Sequence, residues 1–238
     1  RRAFVAPKGK VLVSLDYSQI ELRIIAHLAT DKTFIDGFKR GADIHTQTAA
    51  EMNDVVEADV TKEMRRAAKS INFGILYGMG AYGLSRDAKI SMEEAKQYLQ
   101  RYFALHPAIE QYVKDTKAFA LKHGYVETLF GRRRYLPDMQ SGMQQVRAAA
   151  ERAAINMPAQ GTAADIIKKA MLAVATKLQA KGMHSIMLLQ VHDELVFEVE
   201  EKYAEAEAKQ IQEIMETVVT LKVPLLVDVG IGKNWNEL

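Results

Sequence analysis

The sequence predicts an α+β fold, in which a small sheet built from both ends of the chain carries a mostly helical insertion. Apolar runs rich in β-branched residues, which are typical of buried strands, occur near the two ends, at residues 10–15, 185–199 and 224–229. From about residue 21 to residue 179 the apolar residues instead recur mostly with a helical period. Strands at both ends with helices between them therefore indicate one small sheet with a helical insertion.

The first half of the chain begins with a strand and continues as helices. Residues 10–15 form the strand, which ends at Asp16. Several signals for helix ends follow in order: Thr61 and Glu63 open a helix, Ser91 and Glu94 match a capping box, Pro107 restarts a helix and Gly124 ends it. A short strand is predicted at residues 125–130.

The second half begins with a long helix, which we expect at about residues 146–179. Pro158 and Gly161 lie inside it and are expected to bend or interrupt it. The remaining predicted elements are a tight β-hairpin in which residues 185–191 and 194–199 flank His192 and Asp193, a helix at residues 204–219 and a final strand at residues 224–229.

The composition is that of a soluble globular protein. Of the 238 residues, 48% are hydrophobic and 26% are charged, which excludes a disordered tail, a collagen and a coiled-coil rod. No apolar run approaches the ~18 residues of a membrane span. Cysteine is absent, which excludes disulfides and thiolate chemistry and fits a reducing compartment. The chain opens at Arg1 without an initiating Met, and we expect it to be a piece of a longer protein.

The net charge of +2 hides two regions of opposite sign. Residues 61–90 contain six basic and two acidic residues, a balance of +4, whereas residues 194–216 contain eight acidic and two basic residues, a balance of −6. Such asymmetry is typical of a protein with one face toward nucleic acid. Two solvated helices with different surface residues would give the same pattern, so charge alone leaves both interpretations open.

Asp16, at the end of the first strand, and Asp193, at the tip of the hairpin, are the first candidates for chemistry. If the two strands are neighbours in one sheet, the carboxylates meet at one edge, where they repel unless a cation neutralises them. Mg²⁺ prefers such oxygen ligands, and a pair of metal ions serves in-line phosphoryl transfer. The alternative is that each Asp only forms a turn.

A second group recurs every four residues along one predicted helix and consists of Arg65, Lys69, Phe73 and Tyr77. Each step advances by only about 40° around the helix, so these side chains share one broad face. Two cations one turn apart suit a polyphosphate, and an aromatic ring further along can stack on a base. The alternative is an amphipathic helix whose cations reach solvent and whose aromatic rings pack.

Arg152, Asn156 and Gln160 form a third group, again with four-residue steps. All three side chains can hydrogen-bond to the acceptors that every base pair presents in the minor groove. A solvated polar helix face is the alternative and the commoner origin of such a pattern.

Five segments carry a further signal. They are Asp16-Tyr17-Ser18-Gln19-Ile20-Glu21-Leu22-Arg23, Asp43-Ile44-His45, the stretch from Arg65 to Gly78 with the pattern R-x-x-x-K-x-x-x-F-x-x-x-Y-G, Gln160-Gly161-Thr162-Ala163-Ala164-Asp165, and Gln190-Val191-His192-Asp193-Glu194. In this order and spacing they resemble the motifs of the bacterial DNA polymerase I family, the family A DNA polymerases. The resemblance runs from Arg1 to the C-terminus.

The resemblance implies a polymerase right hand. Residues 1–26 would form the first part of the palm, residues 27–145 the fingers, and residues 146–238 the second part of the palm with its small antiparallel sheet. The thumb and the exonuclease-like domain of the family would precede Arg1, so we expect the chain by itself to grip DNA poorly. One palm arginine that family members direct at the minor groove would also lie upstream.

The implied activity is template-directed DNA synthesis in replication or repair, by a DNA-directed DNA polymerase. The enzyme would add deoxynucleoside monophosphates to a primer 3′-OH with release of pyrophosphate, using two Mg²⁺ ions for which Mn²⁺ can substitute. Its partners would be primer–template DNA and deoxynucleoside triphosphates. We expect a monomer that acts on bacterial nucleoid DNA in the cytoplasm, or a phage-encoded enzyme in the same compartment.

The family roles carry over to residues that match the motifs. Asp16 and Asp193 would hold the metal ions, with the Tyr17 carbonyl in one coordination shell and Glu194 nearby as an auxiliary carboxylate. The residues expected at the incoming nucleotide are Arg65 and Lys69 on the triphosphate, His45 and Gln19 close to it, Phe73 against sugar and base, Tyr77 in the template-side stacking position, and Glu21 as the block to a 2′-hydroxyl. Those expected in the minor groove are Arg152, Asn156, Gln160 and His192.

Two positions refine this interpretation. Gly80 stands where relatives often carry Ser, which is expected to loosen the end of the fingers helix. Phe73 in place of Tyr implies, by resemblance, that dideoxynucleotides are disfavoured. Trp235 and the residues around it have no predicted role.

Three other functions compete with DNA synthesis. A single-subunit RNA polymerase shares the paired Asp residues and the fingers helix, but Glu21 favours deoxynucleotides. A two-metal nuclease has no need for the face that carries Arg65 and Lys69. An inactive DNA-binding fragment is disfavoured because both Asp16 and Asp193 are retained.

Overall fold

The structure is a computed structural model that describes residues 1–179 and 182–238. The chain divides into two compact units. We call Arg1–Ile20 with Ala163–Leu238 the sheet unit and Glu21–Thr162 the helical unit. The α+β class predicted from the sequence is confirmed. The boundaries predicted at residues 26 and 145 stay a prediction; the compact units divide after Ile20 and Thr162.

The sheet unit contains the strands β1 (Lys10–Tyr17), β4 (Ile186–Val191), β5 (Glu194–Glu200) and β6 (Val227–Gly232). They form one antiparallel sheet in the order β4-β5-β1-β6. Val13, Leu15 and Phe197 are fully buried. The amphipathic helix α9 (Ala204–Thr217) packs against β1 and β6 and buries Ile211. The first strand is therefore central and anchors the residues that follow it.

The helical unit contains most of the helices and one short hairpin. Its elements are α1 (Ile20–Ala29, whose first residue belongs to the sheet unit), α2 (Lys32–Lys39), α3 (Ile44–Asn53), α4 (Lys62–Leu76), α5 (Ala81–Ala88), α6 (Met92–Leu105), α7 (Pro107–His123), β2 (Tyr125–Glu127) and β3 (Arg133–Tyr135). The long helix α8 (Gln144–Leu178) begins in this unit and ends in the sheet unit. No helix in the described ranges is long and apolar enough to cross a membrane.

The helix ends confirm the local signals in the sequence. The Thr61 hydroxyl accepts a hydrogen bond from the Met64 N–H and caps α4. Ser91 and Glu94 form a complete capping box at α6. Pro107 occupies the first turn of α7, and Gly124 ends that helix in the left-handed conformation with φ +74°. These signals need only neighbouring residues, which is why the sequence predicts them well.

Three elements differ from expectation. The helix α8 is continuous through Pro158 and Gly161, so the interruption that the sequence allowed does not occur; Pro158 itself lacks only one backbone donor. The predicted strand at residues 125–130 is shorter because the chain turns at Thr128, whose hydroxyl accepts from the backbone of Phe130 and Arg132. The last strand begins three residues later than predicted, since Pro224 has no N–H for the ladder.

Candidate functional site

Carboxylates converge at one edge of the sheet unit. Asp16 lies opposite Glu194 of β5 on one side and opposite Asp228 of β6 on the other. Asp193 follows β4 in a two-residue turn, where His192 adopts a left-handed φ of +54°. The Tyr17 N–H donates to the Asp193 carbonyl at 3.2 Å, which ties the turn to the end of β1. The structure thus brings Asp16 and Asp193 together, as expected if the hairpin and the first strand are neighbours in one sheet.

The electrostatics of this edge favour a cation. Burial, followed by the negative charges of Asp193, Glu194 and Asp228, raises the pKa of Asp16 to about 6. Proximity to the Asp193 carboxylate is thus one cause of the raised pKa of Asp16, and a bound cation would relieve the repulsion between these carboxylates.

The donors fit a hard divalent metal such as Mg²⁺. Asp16 and Asp193 offer carboxylate oxygens, and Tyr17 contributes a backbone carbonyl directly after Asp16. Within residues 1–179 and 182–238, no three Asp, Glu or His side chains are grouped closely enough to bind a metal by themselves. Oxygens from water or from a substrate would have to complete the coordination shell, which is typical of an open, catalytic metal site.

Glu194 is held differently from the two Asp residues. Its Oε1 accepts a 2.6 Å hydrogen bond from the Ser14 hydroxyl and a 3.0 Å hydrogen bond from the indole Nε1 of Trp235. Its Oε2 lies 3.5 Å from the guanidinium of Arg1. The side chain is nearly buried. Glu194 therefore has a fixed orientation.

In the helical unit, α4 presents the predicted cationic and aromatic face. Arg65, Lys69 and Tyr77 are exposed and Phe73 is half-buried, whereas residues on the opposite side of α4, such as Ile71, are buried. The Lys69 ammonium lies 6.0 Å from the centre of the Phe73 ring. The helix is therefore amphipathic, and Arg65 and Lys69 lie in line on its exposed side.

Arg65 and His45 are tied to the start of α3. The Arg65 Nε donates to the Asp43 carboxylate at 2.6 Å, and Asp43 also caps α3 by accepting from the His45 N–H at 3.0 Å. His45 is buried and its Nδ1 lies 3.1 Å from the Asn72 amide nitrogen. Burial lowers the pKa of His45 to about 4, so the imidazole is neutral near pH 7.

The aromatic end of the same face meets Glu21. The rings of Phe73 and Tyr77 are stacked, with centres 6.2 Å apart and planes 17° apart. The Tyr77 hydroxyl donates to the Glu21 carboxylate at 3.0 Å. The ring of His45 lies 5.5 Å from that of Phe73. Five of the residues predicted to bind nucleotide, Arg65, Phe73, Tyr77, His45 and Glu21, are thus linked by contacts in one unit.

The predicted DNA contacts lie on one side of α8, apart from His192. Arg152 and Gln160 are exposed and Asn156 is half-buried, while Ile155 and Met157 between them are buried. Gly78, with φ +65°, approaches α8 so closely that an added Cβ would lie 3.2 Å from the Arg152 Cα. The end of the α4 face is therefore packed against the helix that carries these polar residues.

His192 and Gln19 belong to the sheet unit. His192 is exposed at the hairpin tip beside Asp193. Gln19 has φ +53° between β1 and α1, and its Oε1 is buried without a hydrogen-bond partner in the part of the chain that the structure describes. An unpartnered buried oxygen is costly, which marks Gln19 as a position where a donor from a ligand would be favourable.

We call the sheet edge where Asp16, Asp193, Glu194 and Asp228 meet the carboxylate edge. Sequence reasoning missed several residues at or beside it. Asp228 interrupts an apolar strand in the same way as Asp16, and this similarity is the signal that could have identified it. No local pattern identifies Ser14 or Trp235 as partners of Glu194.

The run Arg132-Arg133-Arg134, which is exposed on the hairpin of β2 and β3, was visible in the sequence as a cationic cluster.

Comparison with known proteins places these features in a family. The family model described as DNA polymerase family A matches residues 1–237. DNA polymerase I of Pseudomonas aeruginosa is 51% identical over 237 residues, which cover 100% of this chain and 26% of the relative. The thermostable DNA polymerase I of Thermus aquaticus is 52% identical over 235 residues, which cover 99% of this chain and 28% of the relative. The chain therefore spans about a quarter of the length of these curated relatives.

A solved structure agrees in fold as well as sequence. The chain is similar to the POL domain of Pol1 from M. smegmatis in complex with DNA primer-template and dNTP, with a TM-score of 0.95 and 46% identity. The match covers 100% of this chain and 42% of that one. The fold of the chain is thus shared with a solved polymerase domain, and its sequence matches the family model over nearly its whole length. The chain belongs to DNA polymerase family A.

Proposed function

We propose that the chain is the catalytic part of a DNA-directed DNA polymerase, in which residues 1–26 and 146–238 form the palm and residues 27–145 form the fingers. It adds deoxynucleoside monophosphates to a primer 3′-OH and releases pyrophosphate. The observation that carries this proposal is the pair Asp16 and Asp193, joined at one sheet edge with a pKa of Asp16 near 6. Family membership over residues 1–237 supports it.

Asp16 and Asp193 are proposed as ligands of two Mg²⁺ ions, with Mn²⁺ as a substitute and the Tyr17 carbonyl as a further ligand. Bound divalent metal supplies activation of the primer 3′-oxygen and charge stabilisation on the pyrophosphate. The carboxylates of Asp16 and Asp193 would hold the metal ions at the end of β1, a largely buried strand. Glu194 and Asp228 add negative charge beside them, which strengthens the attraction for cations.

Lys69 and Arg65 are proposed to bind the triphosphate. Lys69 acts as a point charge, and Arg65 exchanges its carboxylate partner Asp43 for phosphate oxygens. Neutral His45, held by Asn72, can donate or accept a hydrogen bond without adding charge. Because phosphoryl transfer depends mainly on positioning and charge neutralisation, these groups would complement the metal ions in the required catalysis.

Phe73, Tyr77 and Glu21 are proposed to select the nucleotide. Phe73 lies against sugar and base, and Tyr77 occupies the template-side stacking position until a correct pair forms. Glu21 excludes a 2′-hydroxyl by occupying the space it needs. The hydrogen bond from Tyr77 keeps the Glu21 carboxylate in one place.

The polar face of α8 is proposed to contact the primer–template. Arg152, Asn156 and Gln160 present donors that suit minor-groove acceptors on any base pair, and His192 does so from the hairpin tip. These contacts would not distinguish one base pair from another, and a polymerase must bind DNA of any sequence. The working protein acts as a monomer on nucleoid DNA in the bacterial cytoplasm, or in the same compartment as a phage enzyme.

Primer extension tests the proposal directly. The chain is mixed with a primer–template, one deoxynucleoside triphosphate and Mg²⁺, and extended primer is measured at high enzyme concentration to offset weak DNA binding. The wild-type chain should extend the primer, and Asp16→Ala and Asp193→Ala should not, while binding of labelled primer–template is unchanged. Extension by either variant at a near wild-type rate contradicts the metal assignment, and degradation of DNA without extension favours a nuclease.

A further inference from the structure

The C-terminal segment, residues 233–238, folds back to the carboxylate edge. Trp235, for which the sequence suggests no role, donates its indole N–H to Glu194 Oε1 at 3.0 Å. Its ring also packs edge-on against Phe4, with centres 5.3 Å apart, and beneath the Arg1 guanidinium at 4.8 Å. The backbone of Trp235 donates to the Phe4 carbonyl at 3.0 Å. The ring is thus fixed on several sides and points its single donor at one carboxylate.

Two glycines in β6 make room for this segment. An added Cβ at Gly230 would lie 3.1 Å from the Leu238 Cα, and one at Gly232 would lie 2.7 Å from the Glu237 Cβ. Neither glycine has a positive φ, so space rather than backbone conformation requires them. Glycine inside a strand often marks the close approach of another backbone. The C-terminal segment therefore packs directly against β6.

A short turn then directs Trp235 toward Glu194. The Glu237 N–H donates to the Asn234 carbonyl at 3.1 Å, and the Asn236 N–H donates to the Asn234 side chain at 3.0 Å. The Lys233 N–H donates to the Glu237 carboxylate at 2.7 Å. These contacts order the residues on both sides of the indole, so its N–H is held in position before any ligand arrives.

Glu194 needs such support because it is both charged and nearly buried beside two other carboxylates. Ser14, on the neighbouring strand β1, and Trp235, on the C-terminal segment, both donate to the same oxygen, Oε1. A carboxylate held in this way keeps its negative charge at a fixed place next to Asp193 and Asp16. Mutation of residues that orient the groups around a metal typically costs about 10–100-fold in metal affinity.

We propose that Trp235 is a positioning residue for Glu194, and that the C-terminal segment thereby sets the affinity of the carboxylate edge for divalent metal. The inference rests on the proposed function, because it assumes that Asp16 and Asp193 bind the metal. Trp235 touches neither metal nor nucleotide; it acts through Glu194. Gly230 and Gly232 act one step further away, by allowing the segment to dock.

Mn²⁺ binding to the 238-residue chain, measured by electron paramagnetic resonance without DNA or nucleotide, tests the inference. Trp235→Phe keeps the ring but removes the donor, and should weaken Mn²⁺ binding by about tenfold. Ser14→Ala removes the second donor to the same oxygen and should act in the same direction. Gly232→Ala should weaken binding by displacing the segment, whereas Gly142→Ala, where an added Cβ meets nothing within 4 Å, should not.

A double-mutant cycle separates positioning from general loss of structure. In a Glu194→Gln background, Trp235→Phe should change Mn²⁺ affinity by less than about twofold, because the group it positions is already altered. An equal loss in both backgrounds, or wild-type affinity in the Trp235→Phe chain, overturns the inference. So does wild-type Mn²⁺ binding that survives Asp16→Asn. Failure of the wild-type chain to extend a primer contradicts the proposed function but leaves the Mn²⁺ comparison decisive for Trp235.

Discussion

The Tyr77 hydroxyl donates a hydrogen bond of 3.0 Å to the carboxylate of Glu21, a residue 56 positions earlier in the chain. The bond joins the last residue of the α4 face to the first turn of α1. It couples two sequence motifs, because a change in the position of either side chain affects the other. If Glu21 selects the sugar, its orientation depends on the state of Tyr77.

Replacing Glu21 should relax sugar selection. Glu21→Ala opens the space that a 2′-hydroxyl would occupy, so we expect incorporation of ribonucleotides relative to deoxynucleotides to rise by about tenfold or more. Single-turnover comparison of the two triphosphates measures the ratio. Tyr77→Phe retains Glu21 and should give a smaller rise. A ratio in Glu21→Ala equal to that of the wild-type chain would exclude this role.

Removal of the Lys69 ammonium should impair nucleotide use. Lys69→Ala should lower kcat/KM for the deoxynucleoside triphosphate by about 10²-fold, since a charge-assisted contact to phosphate is worth roughly 1.5–3 kcal/mol. Lys69→Arg keeps the charge and should retain more activity. Arg66→Ala, which removes another exposed cation three residues earlier on α4, is the control. Unchanged kcat/KM in Lys69→Ala would refute the assignment.

Neutralising Asp16 should stabilise the fold while abolishing activity. The pKa of Asp16 is raised to about 6 from an ordinary value of 3.8, so its contribution to stability is full below pH 3.8 and is lost as pH rises through 6. At pH 8 and without divalent metal, Asp16→Asn should therefore melt higher than the wild-type chain, by roughly 2 °C after allowance for solvent screening. Saturating Mg²⁺ should narrow the difference. A lower melting temperature for Asp16→Asn would contradict the repulsion between Asp16 and the neighbouring carboxylates.

A buried ion cluster should make the stability of the helical unit depend on pH. Burial alone lowers the pKa of His106, but Asp31 and Glu51, at 3.6 and 3.5 Å from its two nitrogens, raise the pKa above 6.5 overall. Both distances exceed a good hydrogen bond, so the attraction is mainly electrostatic.

A group with a raised pKa stabilises the fold fully below its unfolded value, and this contribution is lost as pH rises through the folded value. The melting temperature should therefore fall as pH increases above 6.5. His106→Gln should flatten that dependence, and an identical slope in the variant and the wild-type chain would exclude His106 as its source.

The two glycines after α4 should respond oppositely to substitution. Gly80 caps α5 without a side-chain hydrogen bond, and a Cβ there meets nothing within 4 Å, so Gly80→Ser should stabilise the chain by about 0.3 kcal/mol. Gly78→Ala places a Cβ at φ +65° against Arg152 and should destabilise it by about 1–2 kcal/mol. Denaturant unfolding measures both. A stabilised Gly78→Ala chain would contradict the close approach to α8.

Local and long-range features differed in how far the sequence could predict them. The caps at Thr61 and Ser91 depend on residues within one turn, and both were predicted. The meeting of Asp16 and Asp193 follows from a hairpin and a strand with clear apolar patterns. The partner of Glu194 could not be predicted, because Trp235 lies 41 residues away and reaches it only after the C-terminal segment docks. The continuity of α8 through Pro158 likewise depends on packing, which local propensity does not include.

The indole on Glu194 has a practical consequence. Trp235 is the single tryptophan in the sequence, so all indole fluorescence of the chain comes from this one side chain. Its N–H is hydrogen-bonded to Glu194 at the carboxylate edge. The intrinsic fluorescence of the chain therefore reports on that edge without a label. A paramagnetic ion bound there should quench the emission, and a diamagnetic ion should not. The chain thus has a built-in optical probe beside its proposed reaction centre.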